Sequence, residues 1–375
     1  MRSLNPLRSA PVIGVVVALA LVASACSLGS ASGPGGAIAP AEQQAPTKPP
    51  SPSRAITTAP TTTLPPLVLG FAGDTSFTHG LHGSDPLGDV ADTLSAPDVM
   101  FVNLETAVAE AEVGQPLSKT YVFKSPPVTV DLLREAGVDG VSLANNHSLD
   151  HRAEGLARTI ELLDEGGILH TGAGGDETEA YAPVYIDTEG RTVAIVGLSR
   201  VPCGWAQSGD HPEVAWTCDT SVDRGLAAVK EAAADSDVTA VMVHWGVEKD
   251  RCPQQYQRDL AHRWIDAGAD IVVGSHPHVL QGVEKIHDGW VLHSTGNFAF
   301  PSAREEQADS ALFFFTIDGT DVDLSVVPVR IGAGRPVPAS NPWTVIEALN
   351  RYSFGWQFTE DGHASPEEGV AACGV

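Results

Sequence analysis

Ala269-Asp270-Ile271-Val272-Val273-Gly274-Ser275-His276-Pro277-His278 is the stretch on which the reading of this chain turns. The apolar run from Ala269 to Val273 has the length and β-branched content of a buried strand. It stops at Gly274, and two imidazoles follow with Pro277 fixing the backbone between them. Residues i and i+2 of an extended segment share a face, so His276 and His278 can reach adjacent metal ions. A His-x-His pair at a strand end behind a glycine is a metal-binding pattern.

Four more apolar runs end the same way. Leu67 to Ala72 runs into Gly73-Asp74, and Val99 to Val102 into Asn103-Leu104-Glu105. Val138 to Leu143 runs into Ala144-Asn145-Asn146-His147, and Val238 to Val243 into His244-Trp245-Gly246-Val247-Glu248. In an open α/β sheet, ligands sit at the carboxyl ends of the strands. Asp, Glu, Asn and His delivered to one rim form a donor set for two divalent transition metals.

Singly, the clusters say less. Gly73-Asp74 is also a common turn, and Asn103 with Glu105 reads equally as a surface polar pair. Asn145, Asn146 and His147 would be costly beyond a buried strand unless ligated or hydrogen-bonded. An Asn can give a metal a neutral oxygen, and His147 suits a general acid. Trp245-Gly246 reads as a tight turn with an aromatic cover, and Glu248 as either a supporting partner of the site or an exposed loop acid. In Gly296-Asn297-Phe298, Asn297 either orients a ligand or caps a turn. The other nine histidines lack this context and are left structural.

Between the apolar runs lie helical patterns over Pro126 to Gly137, Glu154 to Gly166, Ser221 to Ala234 and Gln254 to Ala267. Alternation of this kind is the signature of βαβ units. Later the texture changes to close-set strands, Trp290 to His293, Ser310 to Ile317 and Val322 to Val329, with Asp318-Gly319-Thr320-Asp321 as a hairpin turn. Asn341 to Tyr352 reads as a final helix. The expected fold is α/β, two sheets face to face with helices outside and metal at one edge.

These six motifs, in this order over about residues 67–329, resemble the CapA family of the calcineurin-like metallophosphoesterase superfamily, whose members are linked to capsular poly-γ-glutamate synthesis. The resemblance implies a four-layer α/β/β/α sandwich and a pair of divalent ions (Mn, Fe or Zn). By motif, Asp74 and His278 resemble ligands of one ion, and Asn146, His244 and His276 ligands of the second. Glu105 resembles the bridging carboxylate and His147 the acid, with Asn103, Asn145, Glu248 and Asn297 in support. The wider superfamily opens on Asp-x-His and ends its second motif in Asp; here Ser76 and Asn103-x-Glu105 stand at those places. That departure implies a first ion bound weakly or completed by water. The implied role is a metal-dependent hydrolase acting on a phosphoester or cell-surface polymer, or an accessory subunit of a membrane polymer-synthase complex. A surface-displayed binding lipoprotein is a third class.

Composition sets the compartment. Arg2 and Arg8 precede an uncharged apolar stretch from Pro11 to about Ala25, a signal-peptide layout. Leu21-Val22-Ala23-Ser24-Ala25-Cys26 resembles a bacterial lipobox, in which Cys26 becomes the lipidated first residue; ordinary cleavage after Ala25 is the alternative. Residues 27–66 hold nine prolines among small and polar residues and read as a linker. A folded domain is expected over residues 67–335, with a helix and tail over 336–375 packed on it. The expected location is the outer face of the cytoplasmic membrane, or the medium if the chain is secreted. Residues 1–66 carry four of the 22 Lys and Arg and one of the 47 Asp and Glu, leaving the remainder with a formal charge of −28. Such acidity excludes loose capture of nucleic acid. Cys203, Cys218, Cys252 and Cys373 remain after Cys26, an even number that in an exported domain suggests two disulfides among three possible pairings. The loop-rich stretch with Pro202, Gly204, Gly209 and Pro212 favours Cys203–Cys218, which leaves Cys252 with Cys373. The spacing fits no zinc pattern.

A thioether-linked lipid on Cys26 is the expected outcome of mass spectrometry on the mature N-terminus, and Cys26→Ser should release the domain or leave it unprocessed. Wild-type protein found wholly soluble with Cys26 unmodified would count against lipidation.

Overall fold

A computed structural model describes residues 64–203, 213–301, 303–367 and 373. The leader with Cys26, and the linker as far as residue 63, lie outside the described residues, as do Gly204, Gly209 and Pro212. All the described residues fall within one unit spanning 60–375. Among them no helix is long and apolar enough to cross a membrane.

In chain order the main elements are β1 (Leu67–Thr75), β2 (Val99–Leu104), α1 (Val128–Glu135), β3 (Gly140–Ser142), α2 (Arg152–Gly166), β4 (Leu169–Thr171), β5 (Val184–Thr188) and β6 (Arg191–Ser199). There follow α3 (Val222–Ala234), β7 (Val238–His244), α4 (Gln255–Asp266), β8 (Ile271–Ser275), β9 (Val283–Ile286), β10 (Gly289–Leu292) and β11 (Asn297–Ala299). The hairpin β12 (Asp309–Asp318) and β13 (Asp321–Gly332), then β14 (Arg335–Pro338) and α5 (Pro342–Tyr352), complete them. One sheet runs β14-β13-β12-β1-β2-β3-β4, with β11 also pairing β1, and the other runs β9-β10-β8-β7-β6-β5.

Strand alternation divides the apolar side chains into three cores. Leu67, Leu69, Phe71 and Phe101 of the first sheet meet Ile195, Ala240, Met242, Ile271 and Val273 of the second. The opposite face of the first sheet, with Met100, Val102 and Val141, packs on Val130 and Leu133 of α1 and Leu156 and Leu163 of α2. Val241, Val243 and Val272 turn the other way onto Ala228 and Val229 of α3 and Leu260 and Trp264 of α4. The two sheets thus share one core and each has helices packed on its other face, because strands buried on both faces leave continuous apolar runs.

Strand entry is fixed by a recurring aspartate. Asp98, Asp139, Asp237 and Asp270 each stand one residue before β2, β3, β7 and β8. Their carboxylates accept the N–H groups of Val68, Met100, Thr192 and Thr239 at 2.7, 2.7, 2.8 and 2.8 Å. Each aspartate N–H donates back to the carbonyl of the same neighbour, at 2.8–2.9 Å. The expected strand from Val138 to Leu143 is shorter as a result. Val138 N–H closes the end of α1 on Leu133 O at 3.0 Å and Asp139 serves as the anchor, so pairing begins at Gly140.

Both disulfides are present, Cys203–Cys218 and Cys252–Cys373, closing loops of 15 and 121 residues. Loop-closure entropy predicts that the Cys203→Ser/Cys218→Ser pair of changes costs about 3 kcal/mol and the Cys252→Ser/Cys373→Ser pair about 4–5 kcal/mol. Chemical denaturation of the two variants should place them in that order.

Candidate metal centre

The carboxyl ends of β1, β2, β7 and β8 meet at one edge of the two sheets, and the polar residues behind each apolar run meet there with them. Gly73 lets this happen: a Cβ on it would lie 2.0 Å from the carbonyl oxygen of Gly296. Asp74 N–H donates to that same oxygen at 2.9 Å.

Glu105 is at the middle of the cluster and fully buried, and neither of its carboxylate oxygens has a hydrogen-bond partner. Three imidazole Nε2 atoms surround its Oε1, from His244 at 3.5 Å, His278 at 3.7 Å and His147 at 3.8 Å. Asp74 Oδ2 lies 2.9 Å from His278 Nδ1 and accepts the His276 N–H at 3.3 Å. Asn146 is half-buried, its Oδ1 2.9 Å from His244 Nε2. Buried His276 Nδ1 has no partner. Donor atoms of Glu105, His276 and His278 lie within 4.8 Å of one another, and so do those of Asp74, Glu105 and His244. The two triads share Glu105.

An unpartnered buried carboxylate ringed by imidazoles is what a divalent cation would satisfy, and mixed O and N donors suit the borderline transition metals. The residues therefore fit a metal.

Buried amides hold these donors in place. Asn103 Nδ2 donates to Asp74 Oδ1 at 2.8 Å, and Asn145 Nδ2 to Asn103 Oδ1 at 3.2 Å and Leu104 O at 2.9 Å. Asn145 Oδ1 accepts the His147 N–H at 3.0 Å. Asn297 Oδ1 lies 2.9 Å from His278 Nδ1 while its Nδ2 donates to His278 O at 3.1 Å, so it orients this histidine. Ser76 Oγ points to Thr78 Oγ1 at 3.4 Å rather than to either triad. Glu248 is an exposed loop acid whose charge acts on Glu105 and His278. Trp245 is no cover for the site: it is fully buried on the helix side, stacked 5.6 Å from Trp264, its indole N–H donating to His293 O at 2.8 Å.

Four residues beside the site escaped the sequence reading. Asp150 Oδ2 lies 2.7 Å from His147 Nδ1, Lys119 pairs with Asp150, Phe123 stacks on the His147 ring at 4.0 Å, and Ser275 Oγ lies 3.0 Å from His244 Nδ1. Asp150 follows His147 by three residues, a spacing that one turn of chain brings together, so that signal was available. Lys119 and Phe123 come from a segment without periodicity.

Electrostatics follow from burial. Burial, then the charge of Asp74, holds the Glu105 carboxyl well above the usual carboxylate range. Burial holds His244 well below its ordinary value and His276 down at about 3, with neighbouring imidazoles adding to the effect. At His278 burial acts the same way, but Glu105 and Asp74 outweigh it and lift the imidazole to about 10. A metal-free domain therefore holds a proton on His278 more tightly than the unfolded chain does. That stabilisation is complete below the unfolded value, roughly 6.5, and is lost as pH rises through about 10. Glu105, also raised, acts in the same direction, whereas His244 and His276 oppose it only below about pH 6.5. Melting temperature in chelator should fall across this alkaline window. Saturation with a divalent ion should flatten the slope, since ligand imidazoles bind metal unprotonated.

The description "Bacterial capsule synthesis protein PGA_cap" belongs to the family model that matches residues 61–302. A Bacillus anthracis protein, "Capsule biosynthesis protein CapA", is 33% identical over 251 residues, which are 66% of this chain and 59% of that protein. The chain thus spans about three-fifths of that relative's length. "PGA biosynthesis protein CapA" of Bacillus subtilis is 30% identical over 276 residues, 71% of each chain. A Mycobacterium tuberculosis protein named "Probable polyglutamine synthesis accessory protein" is 28% identical over 282 residues, 68% of this chain and 73% of the relative. Among solved structures, a phosphatase from Mycoplasma pneumoniae aligns over 76% of this chain and all of its own, with 11% identity and a TM-score of 0.49. The matched span takes in all six motifs at this sheet edge, and the chain belongs to the bacterial capsule synthesis protein family PGA_cap.

Proposed function

We propose that this chain is a metal-dependent hydrolase of the phosphoesterase kind, acting in synthesis or processing of a cell-surface polymer of the poly-γ-glutamate type. Lipidation of Cys26 would hold it at the outer face of the cytoplasmic membrane. The observation that carries the catalytic reading is the buried, unpartnered carboxylate of Glu105, with imidazoles and Asp74 around it. Two divalent ions would be held by Asp74, Glu105, Asn146, His244, His276 and His278. When bound, such ions act as Lewis acids on the bond to be cleaved.

The chain's own residues supply the rest. Asp150 accepts a hydrogen bond from His147 Nδ1–H, which leaves Nε2, facing Glu105, as the atom that takes up a proton to form the imidazolium and passes it to the leaving group. Phe123, stacked on the imidazole, keeps the ring in that plane. Asn103, Asn145 and Asn297 fix the orientation of Asp74, His147 and His278.

A second reading is a non-catalytic, metal-stabilised accessory subunit of a polymer-synthase complex. It is favoured by the name of the M. tuberculosis relative.

Metal analysis of the purified domain, with a screen of phosphoesters and γ-glutamyl amides, separates the two. His276→Ala should lower metal content and thermal stability together, because binding energy is linked to the folded state. His147→Ala should keep its metal and lose turnover by roughly 10²–10⁴-fold, the usual contribution of a general acid. A domain that binds metal, cleaves neither substrate class and supports capsule formation as His147→Ala is an accessory subunit.

A further inference from the structure

Behind the proposed acid lies a lysine that the site described so far leaves without a role. Lys119 Nζ forms an ion pair with Asp150, donates to the carbonyl oxygen of Asn146 at 2.8 Å and lies 3.4 Å from His147 Nδ1. Asp150 is fully buried. Its Oδ1 faces the ammonium, while Oδ2 faces His147 Nδ1 at 2.7 Å and accepts the Phe123 N–H at 2.6 Å. The main chain closes the arrangement, Leu117 N–H donating to Asp150 O at 2.8 Å. One segment, residues 117–123, thereby delivers a cation, an amide and an aromatic ring to the far side of a single imidazole.

We infer that Lys119 is a positioning residue: it holds the Asp150 carboxylate and the Asn146 carbonyl so that His147 keeps Nδ1 on Asp150 and presents Nε2 to the Glu105 side. The inference rests on the reading of His147 as proton donor. A buried carboxylate that loses its cation must find other partners, and here the nearest are the imidazole and the Phe123 amide. The carboxylate would then rotate, and its bond to Nδ1 would no longer select one tautomer. Asn146 would also lose the bond that fixes its carbonyl, and its side chain faces His244. A lysine that merely pinned the 117–123 segment would predict none of this selectively, since the Leu117 and Phe123 amide bonds would still hold the segment.

The test is ¹⁵N NMR of histidine-labelled, metal-free protein, a readout that needs neither metal nor substrate. Wild type and Lys119→Arg should each show His147 as a single Nδ1–H tautomer with a slowly exchanging proton, and Lys119→Met a mixture. In the loaded protein, Lys119→Met should lower kcat with KM unchanged, by no more than the roughly 10²–10⁴-fold that loss of the acid itself costs, and Lys119→Arg should restore most of it. Should Lys119→Met melt far below wild type, Lys119→Gln, which keeps a donor without the charge, replaces it. A single Nδ1–H tautomer in a well-folded Lys119→Met or Lys119→Gln overturns the inference, as does equal loss in Lys119→Arg. Absence of any hydrolysis would sink the hydrolase reading but leave the tautomer result to decide the role of Lys119.

Discussion

One backbone crossing governs the edge where the buried donor side chains gather. The chain leaves the second sheet at the end of β10 and joins the first as β11, and residues 293–296 bridge the two. That bridge runs against Gly73 on one side and Gly274 on the other, where added Cβ atoms would lie 2.0 Å from Gly296 O and 2.1 Å from His293 O. Thr295 N–H donates to Gly274 O at 2.9 Å, tying the strand that leads into the paired histidines to the bridge whose Gly296 O holds the Asp74 N–H. Neither contact tolerates a side chain. Donors from two different sheets reach each other because two glycines let main chain touch main chain.

The same crowding creates the electrostatic problem that a cation would resolve. Asp74, Glu105 and Asp150 are all fully buried. Without metal, a proton held on His278 compensates part of that charge. Two histidines of the cluster also sit at positive φ, His276 at 96° and His278 at 56°, a conformation that L-residues adopt at a cost. Strain of this kind persists where surrounding structure imposes it. Pro277 between them and Asn297 gripping His278 at both its ring and its carbonyl provide that imposition.

Much of this was legible in the sequence because a strand buried on both faces writes itself as an apolar run, and the residue after the run falls at the sheet rim. Asp74, Asn103, Glu105, His244 and the His276–His278 pair were placed by that reasoning alone. What the pattern does not contain is side-chain direction after the strand ends. Trp245 follows His244 by one residue and turns into the helix-side core, since alternation carries it to the opposite face. Grouping of donors into triads depends on the stagger between strands of different sheets, which no local period records. Lys119 and Phe123 come from a stretch whose course is dictated by bonds to Asp150, thirty-one and twenty-seven residues further on.

The aspartates at the strand entries have a bearing on which parts of this molecule are free to vary. A shift of one residue in any of these parallel strands would exchange its two faces and carry the rim residue away from the site. Asp98, Asp139, Asp237 and Asp270 fix that phase from the far edge, each gripping the first residues of its neighbour with carboxylate and main chain together. Loops at the chemistry-bearing edge are thereby relieved of setting register. They can lengthen, shorten or change composition while the donors stay in step, so the sandwich behaves as a ruler read from one end and used at the other.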